Sequence, residues 1–200
     1  MDEGREIRAT YRAVARIWDR DRDRSLFEGP WLDRFALHLA PGARVLDLGC
    51  GAGEPMAAWL ISRGFDVTGA DFAPEMLEIA ARRLPDAEWI LADMRDLALR
   101  RRFAGIVAWN SFFHLTEPEQ RAALPQMVAH LDPGGPLLFT CGPEAGERIG
   151  SVGGRPIYHA SLSPREYRRI LDDAGCETLA FVPEDPDCRG HTICLARKRD

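Results

Sequence analysis

A glycine-rich turn at residues 45–53 constrains the fold of this chain more than any other feature. The segment reads Val-Leu-Asp-Leu-Gly-Cys-Gly-Ala-Gly, and it joins an apolar run at 44–48 to a helical pattern at 54–62. Ligands of open parallel sheets bind at the carboxyl ends of the strands, and glycine lets the backbone approach a ligand closely. The turn therefore predicts an α/β fold with a ligand at this end of a strand.

Strand and helix patterns alternate through the rest of the chain. Further apolar, strand-like runs lie at 65–70, 88–91, 104–109, 137–140, 177–182 and 192–196. Helix starts are marked by Pro74 and by capping-box patterns at Thr116 and Ser163, each followed three residues later by glutamate. The alternation predicts a parallel sheet covered by helices on both faces. A glycine-rich stretch at 141–154 predicts a long loop.

The first forty residues predict two helices. Apolar residues that include Tyr11 and Trp18 recur at three- and four-residue spacing, and a second helix begins near Pro30. We predict a helical cap over residues 1–40 and a single structural unit over residues 41–200.

Composition limits the partners and the compartment. At 200 residues and 46% hydrophobic, the chain suits one domain with a full core. Acidic residues outnumber basic ones by 31 to 26, and the resulting net charge of −5 disfavours nucleic acid. Five scattered cysteines without a CxxC pair indicate a reducing, cytoplasmic location. No apolar run suits a leader or a membrane span, so we expect a soluble, unprocessed protein. The spacing of Cys188, His191 and Cys194 does not suit a metal site.

Two residues near the glycine turn disfavour a dinucleotide. Glu54 stands where the GxGxxG pattern needs Gly or Ala. Asp47, just before the first glycine, would repel a pyrophosphate but attract an ammonium group. A nicotinamide-dependent reductase would also need a catalytic lysine, and the single lysine is Lys198 near the end.

The turn resembles motif I of the class I S-adenosylmethionine-dependent methyltransferases. The similarity continues through Asp71 after the second strand and Asp93-Met94 after the third, and it covers most of 44–140. It implies a Rossmann-like, doubly wound sheet of seven mostly parallel strands with an antiparallel last strand. It also implies S-adenosyl-L-methionine as cofactor, S-adenosyl-L-homocysteine as product, and a cap that folds over the cofactor.

The resemblance assigns a role to each part of the cofactor site. Asp47 and the turn would hold the methionine moiety, Asp71 the ribose, and Asp93 with Met94 the adenine. The full set predicted for the cofactor is Tyr11, Trp18, Asp47, Gly49, Cys50, Gly51, Asp71, Phe72, Met76, Asp93, Met94, Asn110 and Ser111. Simpler roles remain open: Asp71 as the acid at the start of the next helix, Asp93 in an ordinary polar loop, and Tyr11 with Trp18 as core.

The segment after the fourth strand bears on the acceptor. Family members that methylate amino groups of bases or protein glutamine carry two prolines between an Asn or Asp and an aromatic residue. This chain keeps Asn110 and Phe113 but has Ser111 and Phe112 in place of the prolines. The pattern is more similar to the small-molecule branch, so we predict a small-molecule acceptor.

Three histidines are candidates for catalysis. The resemblance brings the loop after the fifth strand and the start of the last strand to the cofactor edge. We therefore predict His114, His159 and His191 as catalytic candidates, and Phe113, His114, Tyr158, His159 and His191 as acceptor-binding residues. Each histidine could instead be structural, because methyl transfer from a sulfonium does not require a general base. A non-catalytic cofactor-binding regulator and a methyltransferase acting on a protein remain alternatives, and the oligomeric state is left open.

Overall fold

The described part of the chain contains nine strands and six α-helices. The computed structural model describes the backbone of residues 3–200 and the side chains of residues 7–200. The strands are β1 (Arg44–Leu48), β2 (Asp66–Asp71), β3 (Glu88–Leu91), β4 (Gly105–Ala108), β5 (Pro136–Cys141), β6 (Gly146–Val152), β7 (Arg155–Ser161), β8 (Cys176–Asp185) and β9 (His191–Lys198). The helices are α1 (Glu3–Asp21), α2 (Gly29–Ala36), α3 (Met56–Ser62), α4 (Pro74–Arg83), α5 (Glu117–Ala129) and α6 (Pro164–Asp173).

Seven of these strands form the central sheet in the order β3-β2-β1-β4-β5-β9-β8. Strands β1 to β5 are parallel, and β9 runs antiparallel to both β5 and β8. The sheet confirms the predicted Rossmann-like fold with its antiparallel last strand. It also brings the carboxyl ends of β3, β2, β1 and β4 side by side.

A β-hairpin replaces part of the predicted loop. Strands β6 and β7 pair antiparallel in a separate two-stranded sheet, so the predicted loop over 141–154 is wrong. Gly153 and Gly154 form the turn with φ of +55° and +76°, conformations that a tight hairpin requires. Gly153 and Gly154 therefore form the turn of a hairpin and are not part of a long loop. Most of β6 is exposed, so it lacks the alternation of buried and polar residues by which a strand is recognised.

Helices cover both faces of the central sheet. Leu46 belongs to the core beneath α5 and α6, while Val45, the preceding residue, belongs to the core beneath α2 and α3. Trp31 and Phe35 of α2 are buried in the second core, so α2 packs into the main unit. The division at residue 40 stays a prediction.

Capping explains where two helices begin. Thr116 and Glu119 form the predicted capping box of α5. At α6 only half of the pattern is present: Ser163 accepts from the Glu166 amide, but the Glu166 carboxylate pairs with Arg121 at 2.7 Å. Among the described helices, none has both the length and the apolar character needed to cross a membrane.

Candidate functional site

A cleft runs along the carboxyl ends of β3, β2, β1 and β4. It encloses about 870 Å³ including its open mouth. Asp93 follows β3, Asp71 ends β2, Gly49 follows β1, and Trp109 with Asn110 follows β4. Every residue predicted to bind the cofactor lines this cleft. The roles of the individual residues stay predictions.

The α1 helix forms the roof of the cleft. The Tyr11 ring meets the Phe72 ring edge to face, with centroids 6.2 Å apart. Trp18, two turns further along α1, lies over the glycine turn. The sequence left open whether Tyr11 and Trp18 belong to the core or to a lid. In the structure both residues line the cleft.

Four side chains of alternating charge link α1 to the glycine turn and to α4. This group, here called the cap network, consists of Asp19, Arg24, Glu54 and Arg83. Arg24 contacts Asp19 at 2.6 Å and Glu54 at 2.7 Å. Arg83 contacts the same two carboxylates at 2.9 and 3.0 Å and also donates to the Ala52 carbonyl. All four side chains are partly shielded, and such networks contribute more than isolated surface pairs.

Two glycines of the turn are required by close contacts. Gly49 has φ of +77°, and a Cβ added there would lie 2.3 Å from the Ser111 Cβ. Gly51 has φ of +52°, and an added Cβ would lie 3.1 Å from the Trp18 ring. The turn therefore brings bare backbone to the cleft, as the sequence predicted.

Asp47 is a buried acid with an unused oxygen. It is 1% exposed, and its Oδ2 has no hydrogen-bond partner in the described part of the chain. Burial, reinforced by the charge of Asp71, raises the pKa of Asp47 to about 7, against a smaller opposing effect of the Ala57 amide. A buried acceptor left without a partner is costly, so its presence at a cleft wall indicates a donor on a ligand.

Asp71 lies beside Asp47 and is held by backbone donors. Its carboxylate accepts from the Gly51 amide at 2.9 Å and from the Ala73 amide at 2.8 Å. Burial raises its pKa to about 6, although these hydrogen bonds act in the opposite direction. The bond to Ala73 supports the structural alternative, and the position in the cleft supports the ribose hypothesis. The two roles are compatible.

Asp93 is paired with Arg95. Their contacts are 2.5 Å from Nη2 to Oδ2 and 2.9 Å from Nε to Oδ1. Burial opposes ionisation, but the hydrogen bonds from Arg95 hold the pKa of Asp93 below its usual value. Met94 is buried, and its Cε lies 3.2 Å from the ideal Cβ position of Gly49.

A second cavity adjoins the cleft. It encloses about 1550 Å³ including its open mouth, and it shares Tyr11, Trp18, Arg22, Asn110 and His114 with the cleft. Its other wall is the β6–β7 hairpin. Asn110 stands at the junction with φ of +50°, and its amide donates to the Thr140 hydroxyl at 2.8 Å.

The structure brings four of the five predicted acceptor-binding residues to this second cavity. Phe113, His114, His159 and His191 line it. The Tyr158 side chain lines neither cavity, and its hydroxyl donates to Glu147 at 2.7 Å. The reason is strand alternation, because Tyr158 and His159 are neighbours in β7 and face opposite sides.

His114 joins the cap to the hairpin. Its Nδ1 lies 3.1 Å from the Tyr158 carbonyl, which can only accept, so Nδ1 carries the proton. Nε2 then accepts the Tyr11 hydroxyl at 2.8 Å. Burial lowers the pKa of His114 to about 4, so the ring is neutral at pH 7.

The other two histidines differ in their surroundings. His159 packs against Phe113 and His114 with ring centroids 4.8 and 4.9 Å apart, and burial, with the nearby charge of Arg148, lowers its pKa to about 4. His191 stacks on Trp109 at 5.7 Å, and its Nδ1 lies 2.8 Å from the Cys188 carbonyl. In the neutral ring that contact leaves the lone pair on Nε2.

Comparison with known proteins assigns the family. A methyltransferase-domain model matches residues 45–135. The chain is also 36% identical over 140 residues to dTDP-3-amino-3,6-dideoxy-alpha-D-glucopyranose N,N-dimethyltransferase of Streptomyces fradiae, covering 64% of this chain and 54% of that protein. This chain belongs to the class I S-adenosylmethionine-dependent methyltransferase family.

Another relative of this chain is named for a different acceptor. Trans-aconitate 2-methyltransferase of Azoarcus sp. (strain BH72) is 31% identical over 171 residues, covering 68% of this chain and 66% of that protein. The chain thus spans between about half and two thirds of the length of these two curated relatives.

Solved structures share the fold of this chain. An S-adenosylmethionine-bound amino pentose methyltransferase from Micromonospora echinaspora has a TM-score of 0.71 at 24% identity, covering 94% of this chain and 96% of that one. The sugar N-methyltransferase KedS8 from Streptoalloteichus has a TM-score of 0.72 at 20% identity, covering 90% of each chain.

The cleft also contains residues that the sequence did not predict. These include Arg22, Arg95 and Trp109. Trp109 directly precedes a predicted residue, Asn110, and could have been inferred from its place at a strand end. Arg22 lies in a charge-rich stretch whose pattern gives no sign of burial. Within the described residues, no group of three or more His, Cys, Asp or Glu side chains is placed to hold a metal ion.

Proposed function

We propose that this methyltransferase transfers the methyl group of S-adenosyl-L-methionine to a nucleophilic atom of a small-molecule acceptor, with S-adenosyl-L-homocysteine as product. The observation that carries the proposal is the pair of adjoining cavities that meet at Asn110 and His114. The cleft has a buried carboxyl oxygen of Asp47 without a partner, which suits a ligand with an ammonium group, and the second cavity is lined by polar and aromatic side chains. A group transferred between two ligands needs such a shared boundary.

The residues present fit the cofactor. The unpartnered Oδ2 of Asp47 would accept the ammonium group of the methionine moiety. Asp71 would accept the ribose hydroxyls, and Asp93 with Met94 would hold the adenine. The sheet order β3-β2-β1-β4 sets these groups in the same sequence as the parts of the cofactor. When bound, the cofactor supplies a methyl group on a positively charged sulfur, and the neutral thioether formed by the transfer is a good leaving group.

For the acceptor we propose an amino group on a small polar molecule. The Streptomyces fradiae relative is named as an N,N-dimethyltransferase of an amino sugar nucleotide, and of two similar solved structures one is named a sugar N-methyltransferase and the other an amino pentose methyltransferase. His191 lines the second cavity, and because its Nδ1 lies against the Cys188 carbonyl, the Nε2 of the neutral ring would receive the proton that a methylated amine loses. His159 and His114 would remain neutral. Because the Nε2 of His114 already accepts the Tyr11 hydroxyl, His159 would be the one to accept a hydrogen bond from the acceptor.

The predictions of a cytoplasmic location and of no nucleic-acid partner are supported by the composition. A cytoplasmic location fits five cysteines that are free and buried. A role without nucleic acid fits the net charge of −5. A binding-only regulator and a protein acceptor stay as alternatives. The first would bind cofactor without forming product, and the second is disfavoured by the hairpin that walls the second cavity.

Calorimetric titration of the purified protein with S-adenosylmethionine, S-adenosylhomocysteine and NADH tests the cofactor. We expect binding of the first two and none of the third, and the reverse result would overturn the proposal. Incubation with S-adenosylmethionine and paired amino and hydroxy sugars, read by mass spectrometry, tests the acceptor. Methylation of the amine only is expected. Cofactor binding with no product from any acceptor would favour the regulator.

A further inference from the structure

His191 lies where three segments of the chain meet beside the second cavity. Its ring stacks on Trp109, which follows β4, and it lies 5.3 Å from the ring of Phe27, which belongs to the connection between α1 and α2. Nε2 of His191 forms no hydrogen bond within the described part of the chain, whereas Nε2 of His114 accepts the Tyr11 hydroxyl. The groups that orient the His191 ring therefore decide what this nitrogen can do at the cavity.

The turn between β8 and β9 directs the Cys188 carbonyl at this ring. A short 3₁₀ helix, Pro186–Cys188, is followed by Arg189 with φ of +54° and Gly190 with φ of +73°. The left-handed conformation is unfavourable for a residue other than glycine, and such residues cluster at functional sites. The turn places the Cys188 carbonyl 2.8 Å from Nδ1 of His191. Because a carbonyl can only accept, the neutral ring carries its proton on Nδ1 and its lone pair on Nε2.

Asp185 holds both ends of this turn. Its backbone carbonyl accepts the Gly190 amide at 2.8 Å. Its carboxylate accepts the Asp187 amide at 3.0 Å and the indole N–H of Trp31 at 2.7 Å. Trp31 belongs to α2 and is buried, so the second bond ties the turn to the core. Asp185 lines neither cavity and can therefore affect a bound acceptor only through the turn.

The connection between α1 and α2 also holds the turn. The Arg189 guanidinium donates to the Asp23 carboxylate and, at 3.3 Å, to the Ser25 hydroxyl. It also lies 4.6 Å from the centre of the Phe27 ring. These contacts stabilise the left-handed Arg189 and keep the Phe27 ring beside His191.

We propose that Asp185 is a positioning residue for His191. By closing the turn, it keeps the Cys188 carbonyl on Nδ1 and so fixes the tautomer whose Nε2 can receive a proton at the second cavity. Phe27 and Trp109 orient the plane of the same ring. The inference rests on the proposed function, because a fixed lone pair serves catalysis only if His191 receives the proton of the amine. The tautomer itself can be measured without any acceptor.

Nitrogen-15 spectra of histidine-labelled protein provide that measurement. At about pH 9, well above the ordinary pKa of histidine, the spectrum of each neutral ring shows which nitrogen carries the proton. The signals that are absent from His191→Ala identify His191. In the wild-type protein the Nδ1–H form of His191 should exceed the Nε2–H form by about tenfold or more, because the second form would leave the Cys188 carbonyl without its donor.

Three substitutions test whether Asp185 sets this tautomer. Asp185→Ala removes both carboxylate bonds and should reduce the excess of the Nδ1–H form by about threefold or more. Asp185→Asn keeps one acceptor oxygen and should retain more of the excess. Trp31→Phe removes the indole donor and should act in the same direction as Asp185→Ala. Asp187→Ala is the matched control, because Asp187 is exposed and contributes only its backbone amide to the turn, so the tautomer should not change.

His114 is an internal control for general loosening of the site. Its Nδ1 lies against the Tyr158 carbonyl of β7, so its Nδ1–H form should persist in every one of these variants. With the amine identified by mass spectrometry, turnover of Asp185→Ala should fall at least in proportion to the loss of the Nδ1–H form of His191. The affinity for S-adenosylhomocysteine should stay unchanged.

Four results would overturn the inference. The first is a wild-type His191 with comparable amounts of both tautomers or with the proton on Nε2. The second is an unchanged tautomer in Asp185→Ala and Trp31→Phe, or in Asp185→Asn and Trp31→Phe if Asp185→Ala does not fold. The third is an equal change at His114 and His191, and the fourth is full turnover in a variant that has lost the Nδ1–H form. If the tautomers behave as expected but no amine is methylated, the proposed function fails while Asp185 still sets the His191 tautomer, which separates the two failures.

Discussion

The protonation of Asp47 gives a direct test of its role. Burial raises its pKa to about 7 in the protein without ligand, so at pH 6 about one molecule in eleven carries the charge, and at pH 8 about ten in eleven do. An ammonium group binds only the charged form. The affinity for S-adenosylhomocysteine should therefore rise about tenfold from pH 6 to pH 8. Asp71, with a pKa of about 6, adds roughly twofold at the lower end.

Calorimetry at several pH values provides the measurement. Titrations at pH 7 in two buffers of different ionisation enthalpy should show release of about half a proton for each ligand bound. Asp47→Asn keeps the shape but removes the charge, so it should bind more weakly at pH 8, lose most of the pH dependence and release almost no proton. A wild-type affinity that is flat between pH 6 and 8, or a variant that keeps the full slope, would refute the assignment.

The same carboxyl group affects stability with a defined sign. Its pKa is higher in the folded than in the unfolded protein, so its contribution is greatest below the unfolded pKa of about 3.9 and is lost as pH rises through about 7. Without ligand, Asp47→Asn should therefore melt at a higher temperature than the wild-type protein at pH 8, and the difference should shrink at pH 5.

Three further substitutions separate binding, catalysis and folding. Asp71→Ala should weaken S-adenosylhomocysteine binding by ~1.5 to 3 kcal/mol in a calorimetric titration; an unchanged affinity would exclude the ribose role. His191→Ala should lower turnover of the identified acceptor while cofactor affinity stays nearly intact, and an equal loss of both would mark a structural residue. Gly49→Ala should lower stability by about 2 kcal/mol or more in thermal melts, because its Cβ meets Ser111 and its φ is +77°; an unchanged melting temperature would show that the turn tolerates a side chain.

The sequence predicted the central sheet and the cofactor cleft because their signals are local. Apolar runs mark buried strands; Asp71 ends one of them, and Asp93 lies two residues after another. Parallel strands bring their carboxyl ends to one edge whatever the details of packing. Asp47, Asp71 and Asp93, which are far apart in sequence, therefore line the same cleft, as predicted.

Features that depend on packing between distant segments were not predictable. Glu54 was read only as a departure from a dinucleotide pattern, yet it is a member of the cap network. That role needs Arg24, from the connection between α1 and α2, and Arg83, from the end of α4. Tyr158 was predicted to bind the acceptor together with His159 because the two are adjacent in sequence. They lie in β7, where neighbouring side chains face opposite sides. The hairpin was not recognised from the sequence because its other strand, β6, is mostly exposed.

The β6–β7 hairpin gives the proposed acceptor cavity a wall that the proposed cofactor cleft does not share, so the hairpin can change while the cleft stays the same. It pairs only with itself, outside the central sheet, and it supplies one wall of the second cavity but none of the described lining of the cleft. A segment with these properties can be exchanged between relatives, or redesigned, with little effect on the strand ends that line the cleft, as long as the hydrogen bond from His114 to the carbonyl at position 158 is kept. The hairpin is thus the natural place for a lineage, or an engineer, to alter the range of acceptors while the methyl donor stays the same.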